Sequence, residues 1–371
     1  MPLIDLIAGA RPNFMKIAPI IGALDAAEAR GGKLRYRLIH TGQHYDRNMS
    51  GSFFEQLGIP EPAVNLEIGS GTAAQQTAGI MIGYEKVLLE RRSDLCLVVG
   101  DVTSTMACAI AAQKLHVPVA HVEGGIRSGD WTMPEEINRL VTDSITNYFF
   151  TTSEVANETL RRSGVAEERI FFVGNTMIDT LTKQLPHLTR SAVWDSAGLV
   201  EKDYFVLTLH RPANVDDGEK LGALLREIVK GARQRPIVFP VHPRTAKMLQ
   251  KLDLQAPNLH MTEPLGYREF NYLVKNARAV ITDSGGITEE ATVLGVPCMT
   301  LRDTTERPET VTIGTNELVG TDPARLAPYL DRLFAGQWKQ GQIPPLWDGK
   351  ASERIVAHLE KLLVKNGGAG E

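Results

Sequence analysis

Short apolar runs rich in Val, Ile, Leu and Phe alternate along the chain with longer segments whose apolar residues recur at helical spacing. A continuous apolar run bounded by turn residues is what a strand buried on both faces requires. The pattern predicts strands at Leu3–Ala8, Arg35–His40, Leu95–Gly100, Pro118–Val122, Tyr148–Thr152 and Ile170–Val173. Between them Lys16–Ala29, Ala73–Arg91, Met106–Leu115 and Glu135–Ile145 read as helices. The rhythm resumes with strands at Phe205–His210, Pro236–Val241, Leu259–Thr262, Ala279–Thr282 and Pro297–Leu301. Alternating strand and helix signals predict an α/β chain with parallel sheets covered on both faces. Two such series imply two doubly wound domains, residues 1–174 and 175–349, while the same count also suits one eight-fold barrel.

Composition narrows this picture. A length of 371 residues exceeds one ordinary core, at about 150 residues per domain. Apolar residues make up 43% and charged residues 23%, as in soluble globular proteins. A net charge of −4 offers no field for nucleic acid or an anionic membrane, so an anionic ligand must be held by a local site. Cys96, Cys108 and Cys298 lie far apart in apolar runs, as buried thiols do in a reducing compartment. The N-terminus has no signal-peptide pattern and no run is long enough to span a bilayer, which predicts a cytoplasmic protein. The histidines lack paired spacing and no acidic cluster suits a divalent ion, so no metal site is expected.

In open α/β sheets, ligands bind beyond the C-terminal strand ends, and polar residues gather there in this sequence. After the first strand, Gly9-Ala10-Arg11-Pro12 leads through Lys16 into a helix, a turn suited to an anion and equally to solvated bases. Its glycine spacing fits neither a Walker loop nor a dinucleotide fingerprint. Thr282-Asp283-Ser284-Gly285-Gly286 ends a strand and opens a helix, where free amides and the macrodipole favour phosphate. Glu289 and Glu290, one turn on, would repel phosphate but accept ribose hydroxyls; a plain Ser284 N-cap also fits the segment. Asp101, Glu123 and Glu135 each follow a strand or open a helix, and together above one sheet edge would raise one another's pKa for acid/base work. The helix dipole alone would also favour Glu135. His210-Arg211 and His242-Pro243-Arg244 end two strands, as proton donors, phosphate ligands or structural groups. The charged run Arg302–Glu309 follows another strand.

The ordered series of motifs resembles the non-hydrolysing UDP-N-acetylglucosamine 2-epimerases over roughly residues 3–320. It comprises Gly9-Ala10-Arg11-Pro12, His40-Thr41-Gly42-Gln43-His44, Gly100-Asp101-Val102-Thr103-Ser104-Thr105 and His121-Val122-Glu123-Gly124-Gly125-Ile126-Arg127. It continues with Met133-Pro134-Glu135-Glu136-Ile137-Asn138-Arg139, Gly174-Asn175-Thr176, His210-Arg211, Asp283-Ser284-Gly285-Gly286 and Arg302 to Glu309. The resemblance implies a glycosyltransferase-B-like fold of two Rossmann-type domains facing across a cleft that holds the nucleotide. It also implies a last helix within 350–366 returning to the first domain, a homodimer, and no cofactor. The implied reaction expels UDP from C1 while a base takes the C2 proton, then returns UDP to a 2-acetamidoglucal. By matching motifs, Asp101, Glu123 and Glu135 are acid/base candidates and His210 assists departure of UDP. Arg11, Ser284, Gly285 and Gly286 would hold phosphates, Glu290 the ribose, and Phe270 would lie near the uracil. Lys16, Arg139, His242 and Arg302 complete the expected substrate-binding set. Asn13 stands where many members carry Glu, and Gly124 where Ala is common. A hydrolysing relative, an epimerase of a modified UDP-acetamido sugar, a glycosyltransferase and a sugar-nucleotide sensor are the competing readings.

Overall fold

The computed structural model describes residues 1–42, 54, 56–250, 252 and 256–364, with the side chains of residues 11, 12, 243 and 244 outside that description. Gln43 and His44 of the second motif, and residues 365 and 366 of the expected last helix, also lie outside the described residues. The chain divides into two compact units, Met1–Thr182 together with the segment from Pro345 onward, and Lys183–Pro344.

The first unit runs β1 (Leu3–Ala8), α1 (Arg11–Ala29), β2 (Arg35–His40), β3 (Val64–Asn65), α2 (Ala73–Glu90), β4 (Leu95–Val99) and α3 (Thr103–Lys114). It continues with β5 (Val119–Val122), α4 (Pro134–Ile145), β6 (Tyr148–Thr151), α5 (Glu154–Arg162), β7 (Ile170–Phe172) and α6 (Thr176–Gln184). The second unit runs β8 (Phe205–Thr208), α7 (Pro212–Val215), α8 (Gly218–Gly231), β9 (Ile237–Pro240), α9 (Pro243–Leu249), β10 (Leu259–Thr262) and α10 (Tyr267–Asn276). Then follow β11 (Ala279–Thr282), α11 (Gly285–Val293), β12 (Cys298–Thr300), α12 (Pro308–Thr312), β13 (Asn316–Leu318) and α13 (Leu326–Phe334). The last helix, α14 (Ala351–Val364), belongs to the first unit and lies against α1.

Strand order is β3-β2-β1-β4-β5-β6-β7 in one sheet and β10-β9-β8-β11-β12-β13 in the other, with parallel pairing throughout. Both orders reverse direction once, between β1 and β4 and between β8 and β11. At such a switch point the loops at the carboxyl ends of neighbouring strands turn to opposite faces and open a crevice.

Local chemistry explains the elements. All of β4 is buried, as is most of α3, where alanines let the helix lie close to the sheet. The one carboxylate in β1, Asp5, is buried and is met by Arg37 through two hydrogen bonds (2.7 and 2.9 Å) and by the Tyr84 hydroxyl (2.9 Å). Helix α1 begins at Arg11, earlier than its apolar period predicts, because the Asn13 side chain accepts the amides of Gly9 and Ala10 and holds the turn. Pro19 lies inside α1 and removes one helical donor. The carbonyl it would have served, that of Met15, accepts the Thr180 hydroxyl of α6 instead, at 2.6 Å. Strands β3 and β13 were not predicted. The first is two residues long, and the second carries Asn316, whose buried amide bonds Thr300 and Thr310.

Helix α14 is anchored at its start. Asp179 of α6 accepts the amides of Ala351 and Ser352 and the Ser352 hydroxyl, at 3.0, 2.7 and 2.6 Å. Just before it, the Trp347 indole donates to the Thr152 carbonyl. All three cysteines are buried, and no described helix is long and apolar enough to cross a membrane.

Candidate functional site

In the first unit the expected residues converge where β1, β4 and β5 end. Lys16, one turn into α1, places Nζ 2.7 Å from Oε2 of Glu123, which directly follows β5. Gly100 has a left-handed φ of +69°, and a Cβ there would lie 3.1 Å from that ammonium, so a side chain would crowd the pair. Glu123 itself adopts φ +74°, a strained value for a non-glycine residue, and is buried. Such strain persists only where surrounding bonds enforce it, and it concentrates at working sites.

Those bonds are visible. The Glu123 amide donates to the Phe150 carbonyl. His121, fully buried, bonds Asp143 through Nδ1 and the Gly100 carbonyl through Nε2, both at 2.7 Å. Asp143 also accepts the Gly125 amide and Arg127. Burial pushes the Asp143 carboxyl up, but the hydrogen bond and charge of His121 and the charge of Arg127 outweigh it, holding it below the usual carboxylate range.

Asp101, after β4, receives Arg139 of α4 in a forked contact at 3.1 and 2.5 Å, and its carbonyl accepts Asn138. Arg139 also bonds Glu136 at 2.7 Å. Burial raises the Glu136 carboxyl, yet the Ser128 and Gly129 amides and Arg139 more than offset this and hold it low. Glu136 is therefore a strut. Glu135, half-buried beside it, makes no hydrogen bond or ion pair among the described residues. The sequence predicted carboxylates crowding one another; the structure sets a cation against Asp101 and another against Glu123. Arg139 thus reaches a carboxylate, Lys16 likewise, and Arg11 opens α1 with its side chain outside the described part.

In the second unit the ends of β8 and β11 meet at its switch point. Asp283, fully buried, accepts the amides of His210 (3.0 Å) and Arg211 (2.9 Å) and the Asn214 side chain (3.2 Å). Its other oxygen lies 2.8 Å from Nδ1 of His210, whose ring is part-exposed. Ser284 precedes α11 but its side chain caps nothing; its amide donates to the Thr282 hydroxyl. Gly285 opens α11 so close to the Arg302–Glu306 pair (2.6 Å) that a Cβ would sit 2.7 Å from Glu306 Oε1. Gly286 follows it in the first turn. Glu290 is buried, accepts the Tyr267 hydroxyl at 2.7 Å, and is pushed up by burial to about 7. Its neighbour Glu289 pairs with Arg307 at 2.6 Å. His242 is exposed, its ring 6.2 Å from that of His210. Phe270 packs on the apolar cluster around Trp194 and Leu273.

The sequence reading missed Asp283 as a partner of His210, the His121–Asp143–Arg127 network, and Tyr267. Asp283 stood in the glycine motif and was read only as part of a phosphate turn; its pairing spans 73 positions and needs the β8/β11 adjacency. Among the described residues no group of three or more His, Cys, Asp or Glu is placed to hold a metal ion.

Two doubly wound parallel sheets, each with polar residues gathered at its switch point, define a glycosyltransferase-B-like protein. The family model for UDP-N-acetylglucosamine 2-epimerase matches residues 26–360. A UDP-N-acetylglucosamine 2-epimerase of Methanocaldococcus jannaschii is 43% identical, covering 96% of this chain and 98% of its own. The crystal structure of M. jannaschii UDP-GlcNAc 2-epimerase in complex with UDP-GlcNAc and UDP aligns with a TM-score of 0.85 at 42% identity, covering 97% of this chain and 100% of that one. A UDP-2,3-diacetamido-2,3-dideoxy-D-glucuronate 2-epimerase of Pseudomonas aeruginosa is 39% identical, covering 96% of this chain and 99% of its own. The chain belongs to the UDP-N-acetylglucosamine 2-epimerase family. It is a sugar-nucleotide 2-epimerase, an isomerase.

Proposed function

We propose that the protein interconverts UDP-GlcNAc and UDP-ManNAc without net hydrolysis. The carrying observation is the pairing of Glu123 with Lys16 at a strained turn, with Asp101 held by Arg139 on the next strand end. Charged groups fixed in place before reaction need no reorganisation as charge develops. The C1–O bond breaks and its electron pair stays on the diphosphate as UDP. A carboxylate among Asp101, Glu123 and Glu135 takes the C2 proton, leaving 2-acetamidoglucal. Proton return to the opposite face of C2, with UDP re-adding at C1, gives the epimer, so no atom is gained or lost. A C2 hydrogen beside an acetamido group is barely acidic, so leaving-group departure carries much of the barrier.

The second unit binds the nucleotide in this reading. Ser284, Gly285, Gly286 and the amides opening α11 hold phosphate. Glu290 takes the ribose, Phe270 flanks the uracil, and His210 and His242 serve the departing diphosphate, while Arg302 shapes the turn near Gly285. Lys16 and Arg139 act through the carboxylates they hold. The protein is further proposed to be a cytoplasmic homodimer. The P. aeruginosa relative favours a second substrate reading, a UDP-2,3-diacetamido uronate.

NMR of UDP-GlcNAc incubated with the enzyme in D2O tests the proposal. Epimerisation with deuterium appearing at C2 and no free N-acetylmannosamine is expected. Stoichiometric UDP with free sugar would establish hydrolysis instead. Turnover of the diacetamido uronate alone would transfer the assignment to that substrate.

A further inference from the structure

The turn that ends β8 holds more order than a phosphate ligand requires. Asp283 is fully buried at the end of β11, yet among the described residues the partners of its carboxylate are donors from the β8 side: the backbone of His210 and Arg211, the Asn214 side chain, and Nδ1 of His210. An ionised carboxylate only accepts hydrogen bonds. It can therefore meet Nδ1 of His210 at 2.8 Å only through a hydrogen on that nitrogen. The neutral ring is then left with its lone pair on Nε2, and the ring plane is set by a group that cannot move, because three other donors fix it.

We propose that Asp283 is the positioning residue of this enzyme's histidine: it keeps a hydrogen on Nδ1 of His210, so that Nε2 is the nitrogen that takes up a second proton from water, gives it to the departing diphosphate and takes it back when UDP re-adds. This rests on the reading that His210 takes part in the reaction. Burial pushes the Asp283 carboxyl up, but the hydrogen bond and charge of His210, then the Arg211 amide and Asn214, outweigh it, so the carboxyl stays ionised across the working range. The same bonds link function to the neighbouring strand end, since Asn214 also donates to the Leu301 carbonyl, one residue before Arg302. A carboxylate that orients an imidazole in this way keeps its charge and passes no proton itself. The chemistry is that of a histidine–carboxylate pair assembled from two strand ends, with the glycine turn of residues 284–286 directly following the carboxylate. Among the described residues, Arg211 is next to His210 in sequence and the His242 ring lies at 6.2 Å between centroids.

The amide in Asp283→Asn can offer its NH2 to Nδ1, which drives the single hydrogen of the neutral ring to Nε2 and opposes the doubly protonated ring that gives up the proton. Turnover of UDP-GlcNAc should fall at least about a hundredfold, the scale of one acid/base group, with KM for the sugar nucleotide nearly unchanged. Side-chain 15N NMR should report Nδ1–H for His210 in the wild type and Nε2–H in the variant, the resonance being assigned by its loss in His210→Gln. Adding Asp283→Asn to His210→Gln should cost no further activity. A wild-type ring carrying its neutral hydrogen on Nε2 overturns the proposal whether or not the variant folds. So does an Asp283→Asn enzyme with normal turnover while His210→Gln is slow. Normal turnover in His210→Gln itself would instead remove the reading of His210 on which the proposal stands.

Discussion

Lys16 and Glu123 are both largely buried, and their charges answer each other at 2.7 Å. Removing one member of a buried pair strands the other charge, at a cost of about 3 kcal/mol or more. Lys16→Met should therefore lower the melting temperature markedly, and Lys16→Met with Glu123→Gln should recover most of the loss; calorimetry of the two variants checks this. Glu123→Gln alone should reduce turnover at least about a hundredfold while UDP binding, measured by titration calorimetry, persists. Glu290 supplies a pH signature. Burial raises it to about 7, so below that pH the carboxyl carries a proton it must lose to accept two ribose hydroxyls. UDP-GlcNAc affinity should climb as pH rises to about 7 and level off above it, and Glu290→Gln should flatten that rise. An unchanged slope in Glu290→Gln would remove the ribose role from this residue.

Elements constrain which residues the site tolerates. Gly124 faces β6: a Cβ would lie 2.8 Å from Cδ1 of the buried Phe149. Gly124→Ala should destabilise the protein by about 1–3 kcal/mol through overpacking, read as a lower urea midpoint, and should shift the Glu123 turn beside it. The predicted strands correspond to β1, β2 and β4 through β12; most are buried apolar runs carried by the residues themselves, while β2 opens on half-buried Arg35, Tyr36 and Arg37 and β10 has no fully buried residue. The terminal strands β3 and β13 escaped because one is too short and the other too polar for such a run; pairing with β2 and β12 makes them strands. Candidates such as Asp101, Glu123, His210 and Ser284 were legible because they follow strands, and Glu135 because it opens a helix. Their partners were not. Arg139 to Asp101 spans 38 positions, and Asp5 needs Arg37 and Tyr84 to make burial tolerable. Such pairings follow from strand order and helix placement, which no local pattern encodes.

At the scale of the whole molecule, each unit carries a buried aspartate held below the usual range, Asp143 in one and Asp283 in the other. The unfolded chain binds protons at these groups near pH 3.8, and the folded chain binds them only at lower pH. Stability contributed by both is thus present above that value and lost as pH falls below it. Acid unfolding followed by circular dichroism should show this loss, and Asp143→Asn should make the transition shallower.

The last helix, α14, completes the first unit only after the entire second unit has been traversed, capped there by Asp179 from α6. On the ribosome, then, the half of the molecule that emerges earliest must wait for the residues of α14 before its core can close, and the half begun later is free to fold ahead of it. A nascent chain stalled before Ala351 would hold a finished second unit behind an unsealed first unit, with the face of α1 that α14 covers still exposed to chaperones.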